Sequence, residues 1–192
     1  MIKYPNGKAP QTKSVRTSKR INNAANRGMS LEADINLSNE YYKNTNRALI
    51  NKRPTPINVV KVDYEKGAKI IDAYFEKQST TDYNGVYKAK YIDFEAKSTN
   101  NKTSFPLNNI TSHQIDHLSK VKEQGGICFF IVEFAVLAKT YLIDASVIIN
   151  FIQKEKRKSI PLTVFANEGL ELKSGFSPRI NYLDAVDQLY NL

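Results

Sequence analysis

Residues 91–99, YIDFEAKST, alternate between apolar and polar positions with the period of two that is typical of a β-strand. The apolar positions are Ile92, Phe94 and Ala96, and the polar positions are Tyr91, Asp93, Glu95 and Lys97. We expect the apolar positions to face the core and the polar row to be exposed. The pattern therefore predicts an outer strand face with two carboxylates and an ammonium close together.

The rest of the chain from Ser30 alternates between helical and strand-like patterns. Apolar residues recur at helical spacing in four segments, 30–44, 110–126, 146–158 and 182–190. Runs with strand character cover 47–53, 82–97, 127–134 and 140–145. This alternation predicts an α/β fold in one domain over residues 30–192, with a mixed β-sheet flanked by helices.

Residues 57–80 do not fit a simple core element. The segment begins with a strand-like pattern, continues with a short helical pattern at Ile70, Ile71, Tyr74 and Phe75, and is rich in lysine. A long excursion between two strands of a compact domain is usually functional.

Residues 82–97 form most simply a β-hairpin, for which two closures are possible. A turn at Lys88-Ala89 places Asp82 directly opposite Glu95, whereas a turn at Asn84-Gly85 separates the two carboxylates. We prefer the first closure because it leaves two longer strands and puts the apolar positions on one core face.

Two facing carboxylates repel each other unless a positive group lies between them. A hard divalent cation such as Mg²⁺ prefers oxygen ligands and retains waters and substrate phosphate oxygens. Such a cation polarises a phosphorus centre, and an ammonium beside it stabilises the charge that develops. Asp82 followed by Glu95 and Lys97 is therefore a minimal set for hydrolysing a phosphodiester.

The formal net charge of +9 lies mostly near the N-terminus. The first 31 residues hold seven cations and no acid, and the remainder holds 21 cations against 19 acids. Residues 1–29 are also poor in large apolar side chains, which predicts a basic flexible arm that meets nucleic acid. The alternative is an arm that only improves solubility.

The composition also limits the class of protein. No apolar segment follows the first cations as in a signal peptide, and the longest apolar stretch, 127–138, is too short to span a bilayer. The single cysteine, Cys128, lies in that stretch and is expected to be a core residue. These features predict a cytoplasmic protein.

Several motifs together resemble one known family. Asp82 with Glu95-Ala96-Lys97 is similar to the PD-(D/E)xK motif of restriction-endonuclease-like nucleases, although Thr81 replaces the usual proline. A wider set resembles the RecU family of bacterial Holliday junction resolvases nearly from end to end. The segments that carry this resemblance are MIKYPNGK, RGMSLE, KRPTPINVVKVDY, STTDYNGVYKAKYIDFEAKST, NKTSFPL, HQIDHL and QGGICFFIVEF.

The resemblance implies specific roles and partners. In this family Mg²⁺ is bound by ligands that match Thr80, Asp82, Glu95 and Gln114 here, and a lysine that matches Lys97 stabilises the transition state. We expect that Mn²⁺ can replace Mg²⁺. The family also implies a homodimer, four-way junction DNA as substrate, and work alongside RecA and the RuvAB branch-migration complex. Residues 54–80 match its stalk insertion between two core strands, within a single nuclease domain. Candidate DNA contacts are Lys13, Arg16, Lys19, Arg20, Arg27, Lys66, Lys69, Phe75 and Lys77.

Other candidate residues have structural alternatives. Gln114 either joins the site or only closes a capping box with Thr111. Glu32 is either an accessory acid of the site or an ordinary acid near a helix N-terminus. His113 and His117 have the spacing of a zinc motif, but a pair at the surface or facing DNA is favoured, because the usual glutamate is absent.

Asp93 lies one pleat from Glu95 and is expected to be structural or to support the site residues from behind. The basic run 154–158 is expected to be a solvated helix end. The sequence as a whole predicts a Mg²⁺-dependent, structure-selective endonuclease that resolves Holliday junctions by paired symmetric nicks in recombination and repair. The alternatives are a non-catalytic junction-binding or strand-annealing protein that modulates the recombinase, and a nuclease for linear duplex or single strands.

Overall fold

A computed structural model of the chain describes residues 24–76 and 80–192, and of residues 24–29 it describes the backbone alone. The helices are α1 (Ala24–Asn44), α2 (Ser112–Glu123), α3 (Ala145–Lys154), α4 (Leu162–Glu168) and α5 (Tyr182–Tyr190). The strands are β1 (Leu49–Lys52), β2 (Ile57–Asp63), β3 (Lys69–Phe75), β4 (Tyr83–Tyr87), β5 (Lys90–Thr99), β6 (Ser104–Pro106), β7 (Ile127–Phe134), β8 (Lys139–Asp144), β9 (Ser159–Pro161) and β10 (Leu170–Leu172).

The predicted mixed sheet flanked by helices is confirmed. Six strands lie in the order β1-β4-β5-β7-β8-β10. The pair β5–β7 is parallel and the other neighbours are antiparallel. Helix α2 lies in the connection between β5 and β7, as a parallel pair requires a crossover. Among the described residues, no helix is both long and apolar enough to cross a bilayer.

Both faces of this sheet are covered, and each has its own apolar core. Helices α1 and α5 cover the face that carries Ile92, Phe94 and Phe129. Helices α2, α3 and α4 cover the other face, which carries Cys128 and Phe130. Because β5 and β7 are central, the side chains on both of their faces are removed from water.

The predicted elements recur with shifted ends. Helix α1 begins at Ala24, six residues before the predicted start at Ser30, and it includes the last residues of the predicted arm. Helix α3 ends at Lys154, so the basic run 154–158 follows the helix rather than extending it. The sequence reading missed α4, β6, β9 and β10, which are too short to show a clear period.

The excursion after β1 is a two-stranded antiparallel ribbon of β2 and β3, which we call the stalk. It leaves the sheet after β1 and returns before β4, so it is inserted between two strands of the main sheet. The helical pattern read at Ile70, Ile71, Tyr74 and Phe75 was wrong, because these residues belong to β3. They are β-branched or aromatic, and pairing with β2 satisfies their backbone groups.

The hairpin of β4 and β5 closes at Lys88-Ala89, as preferred from the sequence. Tyr83 pairs with Phe94 and Tyr87 with Lys90. Lys88 and Ala89 have φ values of 46° and 60°. Positive φ at both central residues is what a two-residue type I′ turn requires.

The turn predicts a stabilising substitution. Ala89→Gly removes the steric cost of positive φ at a side chain, so we expect a gain of about 0.5–1 kcal/mol in the free energy of unfolding. Urea denaturation measures the change. The control is Ala33→Gly on the exposed side of α1, which should cost about 0.5–1 kcal/mol. A loss of stability with Ala89→Gly would contradict the assigned turn.

Candidate active site

The two carboxylates in the polar row of β5 are buried, contrary to the expectation that they face solvent. Asp93 and Glu95 are both 0 % exposed. Both side chains lie on the sheet face that α2 covers, because side chains alternate along the strand while Phe94 faces the opposite core. Two carboxylates at the centre of a sheet need partners, since burying an unpaired charge is costly.

Asp82 meets Glu95 across the hairpin, as the preferred closure predicts. The backbone N–H of Asp82 donates to Oε2 of Glu95 at 3.1 Å. In return, the backbone N–H of Ala96 donates to Oδ2 of Asp82 at 3.4 Å. The register that pairs Tyr83 with Phe94 places the next pair outward at Asp82 and Glu95. The turn at Lys88-Ala89 therefore brings these two carboxylates together.

Two further site residues converge on the same carboxylate. Nε2 of Gln114 donates to Oε1 of Glu95 at 2.5 Å, and Nζ of Lys97 lies 2.6 Å from the same oxygen. The Lys97 side chain is 22 % exposed, so its ammonium reaches from the buried carboxylate towards solvent. Glu95 is thus the centre of a group that includes Asp82, Lys97 and Gln114.

Gln114 closes the capping box and contacts Glu95 at the same time, and its role as a metal ligand stays a prediction. Its Oε1 accepts a hydrogen bond from the backbone N–H of Thr111 at 3.1 Å, which closes the capping box of α2. Its Nε2 contacts Glu95 at the same time. The cap thus fixes the amide at both ends and orients the first turn of α2 towards the carboxylate.

Burial raises the pKa of Glu95 to about 8. The ammonium of Lys97 opposes this effect, whereas the negative charge of Asp82 adds to it. In the absence of a cation, the folded protein therefore keeps a proton at this site well above the usual range of a glutamate. A carboxylate held in this way is typical of a functional site.

The donor set suits a hard divalent cation. Asp82 and Glu95 supply carboxylate oxygens. Gln114 presents its amide nitrogen to Glu95, while its amide oxygen accepts from the Thr111 N–H. Thr80 lies half-buried two residues before Asp82, but within the described residues no hydrogen bond joins it to Asp82 or Glu95. No group of three or more His, Cys, Asp or Glu side chains with metal-holding geometry occurs among the same residues. The two carboxylates therefore form the centre of the candidate site, and the roles of Thr80 and Gln114 as metal ligands stay predictions.

Asp93 is at the centre of a second group beside the first. It accepts hydrogen bonds from Arg53 at 2.8 Å, from the Tyr91 hydroxyl at 2.9 Å and from the hydroxyl of Thr81. Nε2 of His117 lies 2.9 Å from its Oδ2. The prediction that Asp93 is structural agrees with these contacts, which engage both of its oxygens.

His113 and His117 are both half-buried and contact different residues. His117 contacts Asp93, whereas His113 contacts the Thr111 hydroxyl at the helix start. Arg53 was missed altogether. Its position directly before the proline-rich start of the stalk could have drawn attention to Arg53. Its partner, Asp93, lies 40 residues further along the chain, so the sequence does not show the pairing.

No hydrogen bond or ion pair joins Glu32 to Asp82 or Glu95 among the described residues, and its role as an accessory acid stays a prediction. Its side chain pairs with Lys52, and α1 covers the sheet face opposite to α2. Among the candidate DNA contacts, Lys66, Lys69 and Phe75 are exposed on the stalk. The candidates outside the described residues, or without a described side chain, are Lys13, Arg16, Lys19, Arg20, Arg27 and Lys77.

The raised pKa of Glu95 predicts a pH-dependent stability difference in the metal-free protein. Between pH 4.5 and about 8, the unfolded chain has lost the Glu95 proton while the folded protein retains it, so wild-type stability falls as pH rises. Glu95→Gln removes this dependence. Relative to wild type, we expect the free energy of unfolding of the variant to rise across this range, by on the order of 4 kcal/mol at pH 8.

Urea denaturation in EDTA at several pH values measures this difference. The control is Glu171→Gln, which changes an exposed glutamate paired with Lys139 and should shift stability little. A difference between wild type and Glu95→Gln that does not change with pH would contradict the assignment.

Comparison with known proteins places this chain in a family. Residues 26–188 match the model of the family described as RecU: Recombination protein U. A protein named Holliday junction resolvase RecU from Geobacillus sp. (strain WCH70) is 49 % identical, covering 99 % of this chain and 98 % of the relative. A relative with the same name from Lactiplantibacillus plantarum is 50 % identical, covering 98 % of this chain and 95 % of the relative.

A third protein of this name, from Oceanobacillus iheyensis, is 49 % identical, covering 98 % of this chain and all of the relative. The solved structure of Hjc, a Holliday junction resolvase from Archaeoglobus fulgidus, matches with 12 % identity and a TM-score of 0.45, covering 74 % of this chain and 94 % of Hjc. The family match and the identities over almost the whole length show that this chain belongs to the RecU family.

Proposed function

We propose that this protein is a Mg²⁺-dependent endonuclease that resolves Holliday junctions by paired symmetric nicks. The observation that carries the proposal is the convergence of Asp82, Lys97 and Gln114 on buried Glu95. It occurs in a chain whose relatives, about half identical over their full length, are named as Holliday junction resolvases. We expect the protein to act on chromosomal DNA in the cytoplasm, during recombination and repair.

The site supplies what phosphodiester hydrolysis requires of a protein. Asp82, Glu95 and Thr80 would hold Mg²⁺, or Mn²⁺ in its place, and Gln114 would take part through a bound water. The bound cation would polarise the phosphate and acidify a water. Water adds to phosphorus, one P–O ester bond breaks, and a proton ends on the leaving oxygen. Lys97 orients the attacking water and stabilises the negative charge that develops on the phosphate.

The buried position of Glu95 gives the cation a defined place. Metal ligands must be deprotonated, so cation binding would displace the proton that burial retains on Glu95. The ammonium of Lys97, which contacts Glu95, would then be available to the substrate phosphate. Gln114 would keep the carboxylate in place through this exchange, because the helix cap holds its amide.

The stalk is the element that we propose to engage the junction centre. Its exposed aromatic side chains include Tyr64, Tyr74 and Phe75, which is 78 % exposed. Aromatic side chains stack on unpaired bases, and Lys66 and Lys69 would contact phosphates. Because the stalk returns to the sheet directly before Asp82, a junction held there lies next to the proposed site.

Paired nicks require two catalytic centres, which leads to the proposal of a homodimer. Opposing strands of a four-way junction are related by an approximate two-fold axis, and a two-fold dimer presents its two sites in the same relation. Action alongside RecA and RuvAB follows from the family resemblance and is proposed on that ground alone.

The proposal predicts separation of cleavage from binding. Asp82→Asn, Glu95→Gln and Lys97→Ala should each lower the single-turnover cleavage rate of a labelled four-way junction by about 10²-fold or more. Junction affinity in EDTA should stay within about threefold, since binding depends mainly on phosphate contacts elsewhere. Mapping the nicks of the wild type with Mg²⁺ should give symmetric positions in two opposing strands.

The matched controls are Lys139→Ala and Glu171→Gln, which change an exposed Lys–Glu pair on the far strands of the same sheet. Both controls should cleave like the wild type. Tight binding without nicks by the wild type in Mg²⁺ or Mn²⁺ would favour a junction-binding protein instead. Equal cleavage of linear duplex and junction DNA in competition would favour a general nuclease.

The N-terminal arm predicts a change in salt dependence. Deleting residues 1–23 removes six cations and leaves α1 intact, so junction binding should weaken. The slope of log K against log salt should fall by up to about 0.9 per lost phosphate contact, or about 5 in total. A full-length variant with these six cations changed to glutamine should behave like the deletion. An unchanged slope would exclude the arm from DNA binding.

A further inference from the structure

The guanidinium of Arg53 connects parts of the chain that are distant in sequence but meet beside the proposed site. Nη2 donates to Asp93 at 2.8 Å and to the Tyr91 hydroxyl at 2.9 Å, both on β5. Nη1 donates to the hydroxyl of Thr81 at 2.7 Å and to its carbonyl at 3.3 Å. Nη1 also lies 3.5 Å from Nε2 of His117 on α2.

Arg53 is also where the chain leaves the sheet for the stalk. It directly follows β1, and its backbone N–H donates to the carbonyl of Asp82 at 2.8 Å. This bond continues the ladder that pairs Lys52 with Tyr83. The outgoing chain at Arg53 and the returning chain at Thr81 and Asp82 are therefore bound to each other at the stalk base.

The contacts with Thr81 affect the proposed metal ligands on either side of it. Thr81 lies between Thr80 and Asp82, and its side chain is buried. Its hydroxyl contacts both Arg53 and Asp93, and Arg53 contacts its carbonyl as well. These bonds fix the backbone from which the Asp82 carboxylate projects.

The same group holds the opposite side of the site. Asp93 and Glu95 are two apart on β5 and share a face, and Gln114 and His117 are three apart on α2 and also share a face. Gln114 contacts Glu95 and His117 contacts Asp93. The contact between Gln114 and Glu95 therefore lies beside the group that Arg53 forms with Asp93 and His117. The two groups are two residues apart on β5 and about one turn apart on α2.

Asp93 and Arg53 serve positioning rather than direct chemistry. Asp93 is 0 % exposed and both of its oxygens already accept hydrogen bonds, so it is committed to these partners. The planar guanidinium of Arg53 donates to Asp93 and to Thr81 at the same time, in a fixed geometry that a lysine ammonium does not provide. Its side chain is 17 % exposed, so most of it is removed from solvent.

We propose that Arg53 is a positioning residue. Through its bonds to Asp93 and Thr81 it joins the base of the stalk to β5. It thereby sets the positions of Thr80 and Asp82 relative to Glu95. This inference rests on the proposed function of the Glu95 site. It assigns to the stalk base a role in assembling that site, in addition to any role of the stalk in binding DNA.

The test compares Arg53→Met and Arg53→Lys with wild type in single-turnover junction cleavage across a Mg²⁺ titration. Both variants should lose roughly 10- to 100-fold in rate and need more Mg²⁺ for half-maximal rate, as loss of an outer contact to metal ligands does. Junction affinity in EDTA should remain within about threefold of wild type. Arg179→Met, which removes an exposed pair with Asp34, is the matched control and should cleave normally.

Folding is tested separately, because Arg53→Met removes the guanidinium that pairs with the buried Asp93 carboxylate and can therefore destabilise the fold. The double variant Arg53→Met/Asp93→Asn removes both charges. Its unfolding transition should lie nearer to that of wild type, while its cleavage rate stays as low as that of the single variant. Recovery of cleavage in the double variant would overturn the positioning role, because the defect would then be one of stability.

Two further outcomes would also overturn the inference. Normal cleavage by Arg53→Lys would mean that positive charge alone is needed. Weaker junction binding with an unchanged rate at saturation would make Arg53 a DNA contact. Glu95→Gln separates this inference from the proposed function: if Glu95→Gln cleaves normally, the proposed site is wrong, and if it is inactive while Arg53→Met is normal, only the role of Arg53 is wrong.

Discussion

The candidate site depends on one backbone register, that of the hairpin of β4 and β5. A two-residue turn at Lys88-Ala89 sets this register, and the N–H of Asp82 then meets the carboxylate of Glu95. A slip of one residue would turn every side chain of a strand to the opposite face. Asp82 would then point into the apolar core beneath α1, and Glu95 would lose its partner. The turn therefore fixes both the packing and the chemistry.

Helix α2 converts this pair of carboxylates into an enclosed site. It covers the polar row of β5, removes Glu95 from water and raises its pKa. The same helix compensates for part of that burial, because Gln114 donates to Glu95 and His117 contacts Asp93. Electrostatic groups act more strongly where water is excluded, so burial that costs stability can serve catalysis. A cation between Asp82 and Glu95 would relieve that cost.

Much of the fold and part of the site could be predicted from the sequence, for identifiable reasons. The strand at 91–99 has a clear period of two, and strand length decided correctly between the two hairpin closures. The burial of Asp93 and Glu95 could not be predicted, because an amphipathic helix pattern does not say which sheet face the helix covers. Arg53 was missed, and the contact of His117 was not anticipated, because their partner, Asp93, is distant in sequence. The helical spacing of His113 and His117 suggested one shared role, but the two side chains contact different residues.

The most direct test of the account is whether Asp82 and Glu95 bind one cation together. Calorimetric titration of Mg²⁺ or Mn²⁺ into the wild type, Asp82→Asn and Glu95→Gln measures this without DNA or turnover. The account predicts a site in the wild type whose affinity falls about tenfold or more in each variant, with protons released on binding to the wild type near pH 7. Equal cation affinity in all three proteins would contradict the claim that the hairpin register creates the metal site.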